Sequence, residues 1–221
     1  MKKLLIFASG DSVGGGSGFQ KLVENARSGI LKAEIVGVVS NNPKGGVWKR
    51  AKKFGIPFFY FSGPWTAENY QSYITETRAD FIALSGWLKL VVGLPSEKTI
   101  NIHPGPLPKF GGSGMYGQYV HEAVLAAFHR GEIKNSEVCM HFVTDKYDDG
   151  PVFFRCLVSI FKNDTPQTLA KRVNIVEHKC QSQITSLVVT GKIYWDGKDS
   201  KTLVGKEVWD FRSHKIEKKI Y

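Results

Sequence analysis

The sequence predicts an α/β fold, an open and mostly parallel twisted sheet flanked by helices, with its last strands antiparallel. Three observations carry this. Short apolar runs alternate with helix-patterned stretches as far as residue 103, the pattern of βαβ units feeding a parallel sheet. A glycine-rich segment links the first apolar run to the first helical stretch. Farther on, two apolar runs follow each other across a short turn with no room for a crossover helix, so they pair antiparallel.

Each element has a local reason. "KLLIFAS" (3–9) is continuously apolar, as a buried central strand requires. "GFQKLVENARSG" (18–29) carries Phe19, Leu22, Val23 and Ala26 at helical spacing and stops near Gly29. "AEIVGVVSN" (33–41) is a second strand, "VWKRAKKFG" (47–55) a helix ended by Gly55, and "IPFFYF" (56–61) a third strand. "TAENYQSYITETR" (66–78) opens on an N-cap threonine with an acidic first turn. "ADFIALSG" (79–86) and "KTINIH" (98–103) are strands four and five. "MYGQYVHEAVLAAFHRG" (115–131) reads as a helix, and "EVCMHFVTD" (137–145) and "PVFFRCLVSIF" (151–161) as the antiparallel pair. A long helix spans 165–191, with Thr165 and Pro166 as start signals. Residues 1–194 form the expected domain, and 195–221 read as a basic peripheral tail.

The bulk numbers exclude some classes. No apolar run approaches the length that spans a bilayer. The N-terminal "MKKLLIFASGD" has too short an apolar stretch for a signal peptide and reads as the first strand. Three cysteines without CxxC spacing suit a reducing cytoplasm. Net charge +10 raises nucleic-acid binding, but the charge is neither gathered in a basic helix nor interleaved with aromatics. A basic surface equally suits a small anionic ligand.

In open α/β sheets ligands bind beyond the carboxyl ends of the strands, here after Ser9, Gly86 and Ile102. Candidate chemistry falls at those points. "ASGDSVGGGSGFQ" (8–20) puts glycines at a helix N-terminus, where backbone N–H groups accept a phosphate. It lacks GxGxxG and GK[ST] spacing, which favours a monophosphate over a dinucleotide or ATP; a ligand-free turn is the alternative.

"TINIHPGPLPKF" (99–110) brings Asn101 and His103 to one face of a strand end, because residues i and i+2 project together. Pro104 holds His103 extended and ends the strand. An amide and an imidazole so placed can donate to a developing oxyanion, and the imidazole can handle a proton. A structural role is the alternative. In "HFVTDKYDDGPV" (141–152) one carboxylate facing His103 would raise its pKa; a solvated acidic turn or a metal site at Asp145, Asp148 and Asp149 are the other readings. "LSGWLKLVVGL" (84–94) is either core or the wall of a flat aromatic ligand.

Together these pieces resemble the folate-dependent formyltransferase family. The resemblance runs in order from about residue 3 to residue 192, on "ASG…GSGFQ", "LSGWLKLV", "INIHPGPLPKFGG", "VCMHFVTDKYDDGPV" and "RVNIVEHK". It implies the family's Rossmann-like fold and transfer of a formyl group from the co-substrate 10-formyltetrahydrofolate, without a metal, to an amine. The implied acceptor is the glycyl amine of 5′-phosphoribosylglycinamide (GAR), in purine biosynthesis, with another amine as the alternative.

The resemblance assigns catalysis to Asn101, His103 and Asp148. Asn101 and a protonated His103 would stabilise the oxyanion, while Asp148 would support the histidine and move protons through water. The folate would lie on Leu84, Trp87, Leu88, Lys89, Leu90 and Val91 and on the backbone of Thr144, Asp145 and Asp148. The phosphate would sit on Gly16, Ser17 and Gly18, with Glu177 near the amine. The implied partners are these small molecules, with neither nucleic acid nor membrane, for a cytoplasmic monomer or homodimer. Departures from the family pattern are extra residues at about 11–15, Gly18 in place of asparagine, Lys89 in place of arginine, and an altered stretch at 111–120, expected to be a mobile loop.

Overall fold

The computed structural model describes residues 1–12 and 14–210, together with the backbone of a short strand at 217–219. The strands are β1 (Lys2–Phe7), β2 (Ala33–Ser40), β3 (Phe58–Tyr60), β4 (Phe81–Leu84), β5 (Thr99–His103), β6 (Asn135–Phe142), β7 (Val152–Ser159), β8 (Glu207–Asp210) and β9 (Glu217–Lys219). The helices are α1 (Ser17–Arg27), α2 (Gly46–Phe54), α3 (Ala67–Thr77), α4 (Gln118–His129) and α5 (Pro166–Val189).

All nine strands form one sheet in the order β3-β2-β1-β4-β5-β6-β7-β8-β9. From β3 to β5 every neighbouring pair is parallel. β6 runs antiparallel to both β5 and β7, so β5 is the seam between two halves. The predicted fold class is the one observed.

β1 explains why the sheet needs layers on both faces. Leu4 and Ile6 project into one core with Phe19, Leu22, Val120, Leu169 and Val173, from α1, α4 and α5. Leu5 and Phe7 project into a second core with Tyr70 of α3, Phe61, Ile82 and Trp87. All four β1 residues are fully buried, each contributing about 1.5–3 kcal/mol relative to exposure. Thr66 caps α3 by accepting from Asn69 N, and Thr165 with Thr168 forms a capping box ahead of Pro166 in α5.

Two expectations are corrected. Helical patterning from Met115 is not realised until Gln118, because Gly112, Gly114 and Gly117 all take positive φ and hold residues 112–117 as a loop. Nor is the segment from 195 onward simply peripheral. β8 pairs with β7 in parallel, Cys156 opposite Trp209. Trp195 and Trp209 are buried in the larger core, and Trp209 meets Phe154 edge-on at 5.3 Å. A four-residue strand with one large anchor is too short to show periodicity, so flanking lysines hide it. Residues 211–216, 220 and 221 lie outside the described residues.

Cys139, Cys156 and Cys180 are free and buried, on β6, β7 and α5. Among the described residues no helix is long and apolar enough to cross a membrane.

Candidate active site

The loops after β1, β4 and β5 open into one cavity of about 890 Å³, a volume suited to small ligands. Ser9, Gly86 and His103 all line it, so the carboxyl ends of the strands hold the site as the topology requires. The loop at 112–118, the turn at Tyr147–Asp148 and one face of α5 complete the wall.

Asn101 and His103 stand on the same face of β5, and the turn between β6 and β7 brings Asp148 between them. His103 Nδ1 is 3.6 Å from Asp148 Oδ2, and Asn101 Nδ2 donates to Asp148 Oδ1 at 3.4 Å. Gly112 N donates to Asp148 Oδ2 at 3.0 Å. Asp148 has φ 52°, a left-handed conformation that aspartate adopts at a cost of about 1–3 kcal/mol. That backbone aims the carboxylate inward.

His103 is buried, and its Nε2–H donates to Phe110 O at 2.8 Å. Nδ1 is therefore the nitrogen turned toward Asp148. Burial pushes the imidazole pKa down, Asp148 and the Phe110 carbonyl push it up, and the net shift is downward. The raised pKa expected from the sequence is thus overturned: desolvation outweighs the carboxylate, and the resting ring is neutral at pH 7. Burial also raises the Asp148 carboxyl, but His141, His103 and the Gly112 N–H outweigh it and hold it below its ordinary value.

His141 went unassigned in the sequence. It lies directly opposite Asn101 in the β5–β6 register. Its Nδ1–H donates to Phe142 O at 2.7 Å, which leaves Nε2 3.0 Å from Asn101 Nδ2 and 3.3 Å from Asp148 Oδ1. This fixes which way the Asn101 amide faces. His121 was also missed. It lines the cavity from α4, its Nδ1 has no partner, and burial, then His103, pushes its pKa down to about 4. The alternation of Cys139 and His141 on one face of β6 could have found the first; nothing local marks the second.

On the other side of the cavity the wall is backbone. Gly16 caps α1 with φ 79°, no side chain occupies the cap, and the first turn has no acidic residue. The positive end of α1 and its free N–H groups thus face the cavity at Gly16, Ser17 and Gly18, all three of which line it. Asp11 accepts from Gly14 N within its own loop and does not line the cavity. Arg50 braces the loop through Gly15 O at 2.8 Å and Gln20 Oε1 at 3.0 Å.

Glu177 lines the cavity from α5 and accepts from Asn174 Nδ2 at 3.2 Å; burial pushes its pKa up to about 7.

The nine residues assigned to the folate divide. Trp87, Leu88, Lys89 and Asp148 line the cavity. Leu84 and Val91 are buried in the second core, and Leu90, Thr144 and Asp145 lie off the cavity. Asp145 Oδ1 instead accepts from Gly93 N at 2.9 Å, tying the turn to the 88–95 loop. A continuous segment cannot face one cavity throughout, and only its bend at 85–89 does. Trp87 is held from behind, its Nε1–H donating to Tyr70 Oη at 3.1 Å. No group of three His, Cys, Asp or Glu among the described residues is arranged to hold a metal ion.

A sequence profile described as formyl transferase matches residues 2–185. The chloroplastic phosphoribosylglycinamide formyltransferase of Arabidopsis thaliana is 35% identical over 205 residues, covering 88% of this chain and 68% of that protein. Phosphoribosylglycinamide formyltransferase of Bacillus subtilis (strain 168) is 33% identical over 190 residues, covering 81% of this chain and 90% of that one. Among solved structures, phosphoribosylglycinamide formyltransferase from Bacillus halodurans superposes with a TM-score of 0.73 at 27% identity, covering 86% of this chain and 96% of that one.

Proposed function

The chain belongs to the formyl transferase family, and from that premise we propose that it transfers the formyl group of 10-formyltetrahydrofolate to the glycyl amine of GAR. One observation carries the reading to this chain's own residues. Asn101, His103 and Asp148 converge within 3.6 Å on a cavity whose opposite wall is the uncapped N-terminus of α1. A phosphorylated acceptor and a carbonyl donor each find matching chemistry there.

The amine nitrogen attacks the formyl carbon, and the carbonyl electron pair moves onto oxygen. The Asn101 N–H that rests on Asp148 turns to that oxyanion, with His141 holding the amide, and His103, once protonated on Nδ1, donates beside it. The C–N10 bond then breaks, its electron pair leaving with the folate nitrogen. Asp148, through water, takes the proton lost by the amine and returns one to N10, giving formyl-GAR and tetrahydrofolate. A carboxylate held ionised 3.6 Å from His103 Nδ1 suits this relay, because it can pass the proton lost by the amine to a ring that rests neutral.

Gly16, Ser17 and Gly18 hold the phosphate, and Glu177 faces the glycinamide side. Trp87, Leu88 and Lys89 with Asp148 line the folate side. Three buried free thiols support a reducing cytoplasm.

The test is an assay with 10-formyltetrahydrofolate and GAR beside other amine acceptors, with and without chelator. Formyl-GAR should form in both conditions. Turnover with a different amine alone would move the protein to another acceptor, and full loss in chelator would refute the metal-free mechanism.

A further inference from the structure

Gln181 sits on α5 four residues beyond Glu177, on the same face of the helix, and lines the cavity beside residues 16–18. Its side chain is 2% exposed. One end of the amide is engaged, Oε1 accepting from Ser85 Oγ at 3.4 Å. The other is not: among the described residues nothing accepts from Nε2. Nε2 is not among the fully enclosed atoms that lack a partner, so its N–H opens on the cavity, where a ligand can accept from it.

Gly18 shows where this amide stands. A Cβ there would fall 2.3 Å from Ser85 Oγ and 3.3 Å from Gln181 Oε1, so any side chain at this position would have to displace the Ser85 hydroxyl. Cα–Cβ bonds tilt toward the N-terminus of their helix. The Ser85–Gln181 pair therefore flanks the mouth of α1, beside N–H groups that no side chain caps. A nearly buried neutral donor and a helix terminus thus meet at one point of the cavity.

We infer that Gln181, oriented by Ser85, is a substrate-binding residue whose Nε2 donates to a phosphate oxygen of the acceptor. This rests on reading residues 16–18 as the seat of a ribonucleotide phosphate. The amide adds a directional contact without a positive charge, and Ser85 keeps its nitrogen rather than its oxygen turned toward the anion. An oxygen there would repel the ligand.

The experiment compares wild type with Gln181→Leu and Gln181→Met, which keep the volume and remove the donor. KM for GAR should rise about tenfold to a hundredfold in each, as for loss of a hydrogen bond to a charged group. Turnover number and KM for 10-formyltetrahydrofolate should stay within about twofold. Gln181→Glu should weaken GAR further, and Ser85→Ala should weaken it less than Gln181→Leu.

Calorimetric titration with ribose 5-phosphate provides a readout independent of turnover, and its dissociation constant should rise in parallel. A lower melting temperature with unchanged KM for GAR and unchanged ribose 5-phosphate affinity would overturn the inference and leave the acceptor reading intact. No turnover of GAR by wild type, with ribose 5-phosphate binding that weakens in Gln181→Leu, would overturn the acceptor reading and leave the inference intact.

Discussion

The two walls of the cavity are built from different materials. The wall at β5 and the β6–β7 turn is made of side chains: Asn101, His103 and Asp148 line it, and His141 stands behind them in contact with Asn101 and Asp148. The wall at α1 is made chiefly of backbone N–H groups, which any sequence able to turn there supplies. The first wall is exacting in residue identity and the second in conformation. Losing one atom should therefore be severe on the first wall and mild on the second.

Asp148→Asn should break the contrast most visibly if it is wrong. The amide keeps the shape of the carboxylate but cannot take a proton, so turnover should fall about 10²–10⁴-fold with folate binding largely retained. Steady-state kinetics and equilibrium folate binding check this; near-normal turnover would put the catalytic carboxylate elsewhere.

Asn101→Ala removes an oxyanion donor and should cost about 10²–10³-fold in turnover. His141→Phe leaves Asn101 in place but frees its amide to rotate, so its loss should be smaller and confined to turnover, with KM for both substrates retained. A loss in His141→Phe as large as in Asn101→Ala would make His141 more than a positioning residue.

Acid should reach the side-chain wall through its buried imidazoles. His121 is pushed down to about 4 from an ordinary value of 6.5, so between those pH values the unfolded chain binds a proton that the folded chain does not. Its contribution is complete above pH 6.5 and is lost as pH falls toward 4. Wild type should lose about 2 kcal/mol more than His121→Phe between pH 7 and pH 5, measured by urea unfolding. Equal losses would show that His121 is solvated when folded.

The smallest effect belongs to the backbone wall. Ser17→Ala removes the hydroxyl that His178 Nε2 meets at 3.2 Å but none of the free N–H groups. KM for GAR should rise less than about fivefold, with turnover unchanged. A loss of a hundredfold or more would mean that the hydroxyl, and not the helix terminus, holds the phosphate.

The same contrast governs how much could be read from sequence. Asn101 and His103 were legible because the two-residue period of a strand is local, and Pro104 marks where it ends. The glycines ahead of α1 were legible for the same reason. His141 was not, because its role depends on cross-strand register with Asn101, which the chain fixes only on folding. Gln181 escaped because its partner is ninety-six residues away. The direction of the His103 shift was misread because proximity to a carboxylate can be guessed from a motif, whereas depth of burial cannot. Leu84 and Val91 were placed against a ligand when they serve the core, since the bend at 85–89 that separates them from the cavity is tertiary. Trp209 shows how little sequence signal an anchor needs when a single side chain holds its strand.

The three cysteines give this molecule an internal gauge of its own opening. Burial pushes Cys139 and Cys156 up to about 12 and Cys180 well above its ordinary value, so at neutral pH none of them presents a thiolate to solvent. All three belong to the sheet and helix that support the β6–β7 turn, and none lines the cavity. A thiol reagent should consequently leave the native enzyme active and unlabelled, and each modified sulfur should count a moment when the framework beneath the reaction centre came apart.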